Sequence, residues 1–213
     1  MSDLFDNFDC LENIKKEMTD SAKNEFIESL ESTKRNGIDK VLEKLEQLGF
    51  FEAPASTRFH LNYKGGLLEH SLNVMHVALM LREQLHLEAK VSKESVIIST
   101  LLHDVNKAEI YYIEKKWQKT DGKWEEYETY NVNYEQFPFG HGEKSVIQLL
   151  RWGLELTDDE ILAIRWHMGA WDLPFQSSEL KANINAAKEK SPLLAIVQAA
   201  DGLSSSILEI TEK

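Results

Sequence analysis

The chain has 213 residues, of which 42% are hydrophobic and 28% charged, enough apolar material for one sizeable core and too much for a disordered chain. Twenty-four basic residues against 36 acidic ones give a net charge of −12, which excludes an extended, non-specific nucleic-acid surface and is compatible with a small anionic substrate. The longest apolar runs, such as 96–102, fall far short of the ~20 residues needed to cross a bilayer, and Asp3, Asp6 and Asp9 stand where a secretory signal would be positive, so the expected location is cytoplasmic with no membrane partner.

Residues 1–50 carry no recognisable chemistry. Cys10 has no second cysteine with which to form a disulfide or a zinc ribbon and reads as a small packed residue. Thr19-Asp20-Ser21 reads as the N-cap of a charged helix running towards Arg35. Ile38, Val41, Leu42, Leu45 and Leu48 recur at helical spacing between Gly37 and Gly49, the latter a C-cap. This stretch is expected to be an N-terminal helical extension packed on a domain covering 51–213. Residues 50–66, with Pro54, Gly65 and Gly66, read as a loop.

A strong helix follows from 67 to about 87, then a second from about 92 to 104, with Ser92 as its cap and an apolar density that predicts full burial. The pattern then changes: 110–119 and 123–132 are rich in Tyr, Trp and Thr and flank Asp121-Gly122, a hairpin-turn dipeptide. The aromatics Trp117, Trp124, Tyr127 and Tyr130 are expected to pack across the two strands. Helices resume over about 143–153 and from Asp158, where Thr157 and Glu160 form a capping box. A short helix over about 178–190 precedes Ser191-Pro192, the expected cap and first residue of a last helix reaching about 209. The predicted class is therefore all-α, with a small β-hairpin insertion at about 110–132.

His103 adjoins Asp104 at the end of an apolar helix, a costly place for two polar side chains unless something satisfies them. Alone, the pair reads more readily as a histidine satisfied in the core than as a functional site. It is accompanied by His70 near the start of the preceding helix, by His141 in Phe-Gly-His-Gly, by His167 at the end of another helix, and by Asp201 within the apolar run 196–202. Each residue comes from a different helix or helix entrance. Imidazoles with carboxylates, and no thiolate among them, suit Mn, Fe, Co, Ni or Zn better than Ca or Mg.

The ordered words Gly-Gly-Leu-Leu-Glu-His70-Ser, Leu-Leu-His103-Asp104-Val-Asn-Lys107, Gly-His141-Gly-Glu-Lys-Ser, Arg-Trp-His167-Met and Ala-Ala-Asp201-Gly resemble the two-metal form of the HD-domain phosphohydrolase superfamily over residues ~60 to ~205. The resemblance implies an HD helical bundle in which His70, His103, Asp104 and Asp201 bind one metal, while Asp104 bridges to a second held by His141 and His167. It further implies hydrolysis of a phosphomonoester or phosphodiester, of a nucleotide or oligonucleotide, by a water that the metals activate. Four neutral His and two Asp leave two divalent ions with surplus positive charge for a phosphate to neutralise. Relatives of this superfamily also use the scaffold as a di-iron oxygenase, and a non-catalytic nucleotide-sensing module is the third reading.

Lys107, three residues after Asp104, is placed either to hold a phosphate oxygen beside the bridging carboxylate or as a solvated lysine, and the family often has Gly where this chain has Asn106. His60 reads as a substrate contact or a structurally satisfied histidine, and Trp171 as a platform for a nucleobase or a packed aromatic. Glu69 and Glu143 adjoin candidate ligands and either support them or face water. His76 lies about 240° around the helix from His70 and faces elsewhere. His86 ends that helix in water. Oligomeric state leaves no mark in the sequence.

Overall fold

Helical repeats of apolar residues account for nearly every element of the computed structural model, which describes residues 19–133, 135, 137–172 and 177–210. The assignment of Cys10 lies outside them. In chain order the elements are α1 (19–32), α2 (Ile38–Gln47), α3 (Gly66–Gln84), α4 (Lys93–Leu102), α5 (Lys107–Ile110), β1 (Tyr111–Thr120), β2 (Lys123–Val132), α6 (His141–Arg151), α7 (Asp158–Trp166), α8 (Ser178–Lys190) and α9 (Pro192–Leu203), followed by a π-turn at Ser204–Leu208. Short 3-10 turns occupy Phe50–Glu52 and Gly169–Asp172.

Helix α4 is buried over 96–102, as its apolar density predicts, and with α3, which keeps one face exposed, it contributes to two hydrophobic clusters. One joins Leu67, Leu68, Leu72 and Met75 of α3 and Ile97, Ile98, Leu101 and Leu102 of α4 to Phe26, Leu30, Val41 and Leu45 of α1 and α2. The other sets Val74, Val77 and Ala78 against Ala163 and Trp166 of α7, Ile184 of α8 and Leu194 and Val197 of α9. A bidentate ion pair fastens the α1–α2 connection to α7: Arg35 donates to both Glu160 oxygens at 2.6 and 2.8 Å. Ser95 also donates to this buried carboxylate, which closes the Thr157–Glu160 capping box at the start of α7.

Two close approaches require glycine. Gly65, at φ 86°, turns the chain into α3, and a Cβ on Gly66 would lie 2.1 Å from the Leu61 carbonyl oxygen. On α6, a Cβ on Gly142 would lie 2.3 Å from the Arg165 carbonyl oxygen, so α6 and α7 touch backbone to backbone there. Gly142→Ala should therefore push the two helices apart and lower stability by about 1–3 kcal/mol, the usual cost of overpacking. A denaturation midpoint equal to that of the unaltered protein would show that the helices yield freely.

The hairpin has the expected turn, with Asp121 and Gly122 at φ 50° and 84° and Thr120 opposite Lys123. The aromatics face partners across the two strands, Trp117 opposite Glu126, Trp124 opposite Lys119, Tyr127 opposite Lys116 and Tyr130 opposite Ile113. Trp117 and Trp124 stay 62% and 67% exposed, because among the described residues the sheet has only these two strands. Three expectations need correction, in whole or in part. Residues 19–21 are already helical, so they do not cap α1. Ser191 is the N-cap of α9 and Pro192 its first residue, as expected, but the Ser191 hydroxyl makes no cap hydrogen bond. The last helix does not continue regularly to 209 but widens into the π-turn at Ser204. Among the described residues, no single helix is long and apolar enough to cross a membrane.

Candidate metal centre

The histidines sit at helix ends and entrances because those are the points where the two clusters leave a polar gap. His103 follows the last turn of α4, His167 the last turn of α7, His141 opens α6, and His70 lies in the first turns of α3. His70, His103 and His167 are fully buried, and Asp104 is 2% exposed. The structure brings all six predicted ligands together.

In each ring Nδ1 is occupied from behind and Nε2 faces inward. His103 Nδ1 donates to the Thr100 carbonyl at 2.7 Å, and His167 Nδ1 to the Ile164 carbonyl at 2.7 Å. A carbonyl only accepts, so these rings carry the Nδ1 proton and leave the Nε2 lone pair free. His70 Nδ1 lies 3.0 Å from both oxygens of Glu209. His141 differs: the Asn106 amide N–H donates to its Nδ1 at 3.1 Å, so this ring carries its proton on Nε2, against Asp104 Oδ1.

The Nε2 atoms surround Asp104, whose oxygens face different pairs of rings. Oδ2 lies 3.2 Å from His103 Nε2 and 3.6 Å from His70 Nε2, whereas Oδ1 contacts His141 Nε2 and lies 3.4 Å from His167 Nε2. Asp201 approaches His70 Nε2 at 3.4 Å. His70 and His103 face each other Nε2 to Nε2 at 3.3 Å, and His167 Nε2 is buried with no hydrogen-bond partner. Two ring nitrogens turned towards one another and a third left unpartnered are what a cation between them would satisfy. Three overlapping groups here could each hold an ion: His70-His103-Asp104, His103-His167-Asp201 and Asp104-His141-His167. The donor set fits imidazole- and carboxylate-loving transition metals.

Charge in the cluster is strongly perturbed. Burial disfavours the Asp104 carboxylate, but Lys107, His103 and His141 outweigh it and hold the carboxyl well below its usual range. Burial would likewise lower His70, yet the carboxylates of Asp201 and Glu209 reverse this and raise it to about 9. Lys107 is not solvated: its Nζ lies 2.6 Å from Asp104 Oδ2 and its side chain is 12% exposed. It has the position expected of a residue that shares the carboxylate's surroundings.

A cavity of about 380 Å³ opens onto the cluster, lined in part by His60, Asp104, Lys107, His167, Trp171 and Asp201. His60 Nε2 is buried with no hydrogen-bond partner among the described residues, Glu209 Oε2 lying 3.9 Å away, and burial next to His70 pushes this histidine down to about 4, so it is neutral. Trp171 is 91% exposed, so core packing does not account for it. Glu69 and Glu143 turn away from the centre, to the Tyr63 hydroxyl at 2.6 Å and to Arg165 at 2.7 Å. His76 pairs with Glu25 on the surface, and His86 is exposed beyond α3.

Two residues at the site escaped the sequence reading. Asn106 stands where the resembling family often has Gly; its amide N–H donates to His141 Nδ1 and its carbonyl oxygen accepts from Ser145 Oγ at 3.1 Å. Glu209 left one faint signal, the polar row Asp201, Ser205, Glu209 at four-residue spacing in an apolar segment.

The family model described as the HD domain matches residues 67–206. The chain is also 34% identical over 85 residues to a dihydroneopterin 2′,3′-cyclic phosphate phosphodiesterase of Methanocaldococcus jannaschii. That alignment covers 39% of this chain and 32% of the relative, so the chain spans about a third of the length of the protein it matches. No solved structure matches.

Proposed function

The chain belongs to the HD-domain family, and from that premise we propose that it is a metal-dependent phosphohydrolase cleaving a small phosphodiester carried on a nucleotide-like heterocycle. The observation that carries this reading is the arrangement of four imidazoles, each engaged at Nδ1 and turned by Nε2 towards one carboxylate. The cyclic phosphate for which the relative is named, dihydroneopterin 2′,3′-cyclic phosphate, supports the choice of a diester over a monoester.

In this reading His70, His103, Asp104 and Asp201 would hold one ion, and Asp104, His141 and His167 would hold the other. When bound, two ions of the Mn, Fe, Co, Ni or Zn type supply Lewis acidity and make a water acidic enough to attack phosphorus. Lys107 contributes a fixed positive charge beside the bridging carboxylate, where a phosphate oxygen gains charge during attack. His60, being neutral, offers its unpartnered Nε2 as a hydrogen-bond donor or acceptor to the substrate. Trp171 offers an exposed ring at the cavity for a heterocycle to stack on. The buried walls and the acidic exterior favour a small ligand over an extended polynucleotide. The cytoplasm is the compartment this reading assigns.

The test is a substrate panel with metal-loaded protein: 2′,3′-cyclic and 3′,5′-cyclic nucleotides, an aryl phosphodiester and an aryl phosphomonoester, with dissolved oxygen recorded throughout. Diester opening to a monoester without oxygen uptake is expected. Oxygen consumption without ester cleavage would replace this reading with oxygenase chemistry, and tight nucleotide binding without turnover would replace it with a sensing module.

A further inference from the structure

Glu209 lies beyond residue 206, where the family match ends, and is 3% exposed. Its two carboxylate oxygens each lie 3.0 Å from His70 Nδ1, and Asn73 Nδ2 donates to Oε1 at 3.1 Å. A carboxylate accepts and a buried one needs partners, so this pairing places the His70 proton on Nδ1. His70 Nε2 is thereby left to face Asp201, Asp104 and His103.

The backbone explains how Glu209 reaches that position. Asp201 and Glu209 approach the same imidazole from opposite nitrogens, although eight residues separate them. Eight positions of regular α-helix would rise about 12 Å and turn about 800°; the chain does not continue that way. The π-turn at Ser204–Leu208 winds more residues into less rise, and the Glu209 N–H closes it on the Ser204 carbonyl at 3.0 Å. Such turns are rare and concentrate at functional sites.

We propose that Glu209, delivered by this π-turn, is a positioning residue that fixes the tautomer and orientation of His70 and thereby sets the affinity of the first metal site. The inference rests on the reading of His70 as a ligand. A carboxylate accepting from the outer nitrogen of a ligating imidazole raises its basicity and holds its ring in place. The group His60-His70-Glu209 could itself gather around an ion. That would require His70 to serve ions through both nitrogens at once, whereas the orienting role uses the geometry as it stands.

The experiment titrates metal-free protein with Zn²⁺ or Co²⁺ against a competing chelator, for the unaltered protein and for Glu209→Ala, Glu209→Gln, His70→Ala and the His70→Ala/Glu209→Ala double variant. Circular dichroism and melting establish that each is folded. Glu209→Ala should weaken one metal equivalent by ~10–100-fold and leave the other unchanged. Glu209→Gln should recover most of the loss, because its amide oxygen accepts the same N–H. In the His70→Ala background, removing Glu209 should cost nothing further, since coupled residues are not additive. If Glu209→Ala does not fold, Glu209→Asp carries the same expectation, as it keeps the charge but is too short to reach Nδ1.

Unchanged affinity in folded Glu209→Ala would overturn the proposal, as would an equal loss with and without His70. A third equivalent in the unaltered protein, lost with Glu209, would assign the residue as a ligand instead. An unaltered protein that binds no metal would sink the parent reading as well, which separates the two failures.

Discussion

Asp104→Ala should empty both halves of the centre and abolish phosphate-ester hydrolysis, the largest effect expected of any single substitution here. Its two oxygens are divided between two pairs of imidazoles, Oδ2 towards His70 and His103 and Oδ1 towards His141 and His167. A carboxylate has two acceptor oxygens with which to join two cations, whereas an imidazole offers each metal one nitrogen. Loss of this group should therefore damage both sites, while His141→Ala or His167→Ala should empty only the second and leave one metal per chain. Because metal binding is linked to folding, each metal count needs a circular dichroism spectrum and a melting curve beside it. A folded Asp104→Ala protein that binds as much metal as the unaltered one would refute the bridging role. So would full activity and full metal in folded His141→Ala and His167→Ala.

Lys107→Ala comes next. Its ammonium sits 2.6 Å from Asp104 Oδ2 and lines the cavity; burial opposes its charge, but Asp104 and Tyr111 raise its pKa above the ordinary lysine value. A cation fixed there at neutral pH can meet charge developing on the phosphate without reorganising at the moment of attack. Metal content should survive its removal, and turnover should fall by roughly 100–1000-fold, or ~2.7–4 kcal/mol, if it behaves as other donors to a developing oxyanion do. Steady-state rates at saturating metal measure this directly. An unchanged rate would confine Lys107 to balancing the charge of Asp104.

Part of the candidate site was legible because several of its residues are polar side chains set into strongly apolar stretches, where sequence periodicity makes them conspicuous. His103-Asp104 after the α4 run and Asp201 within α9 show this best. The α7 capping box and the Asp121-Gly122 turn were equally readable, since both depend on contacts within a few residues. What escaped depends on long-range geometry. The π-turn has no distinct pattern of its own, so Glu209 looked like the end of an ordinary helix, and its partner His70 lies 139 positions away in the chain. Asn106 makes its contacts on α6, across the whole hairpin insertion. The exposure of Trp117 and Trp124 was not legible either, since it depends on whether a second layer covers the hairpin and no local signal announces one.

The most direct test of the account is a metal titration of chelator-treated protein, with hydrolysis of a 2′,3′-cyclic nucleotide measured at each added equivalent and bound metal counted in the same samples. The account predicts no turnover without metal and a rate that rises until two ions are bound per chain. Turnover at the full rate in protein shown to contain no metal, or two bound ions with no cleavage of any phosphate ester, would contradict it.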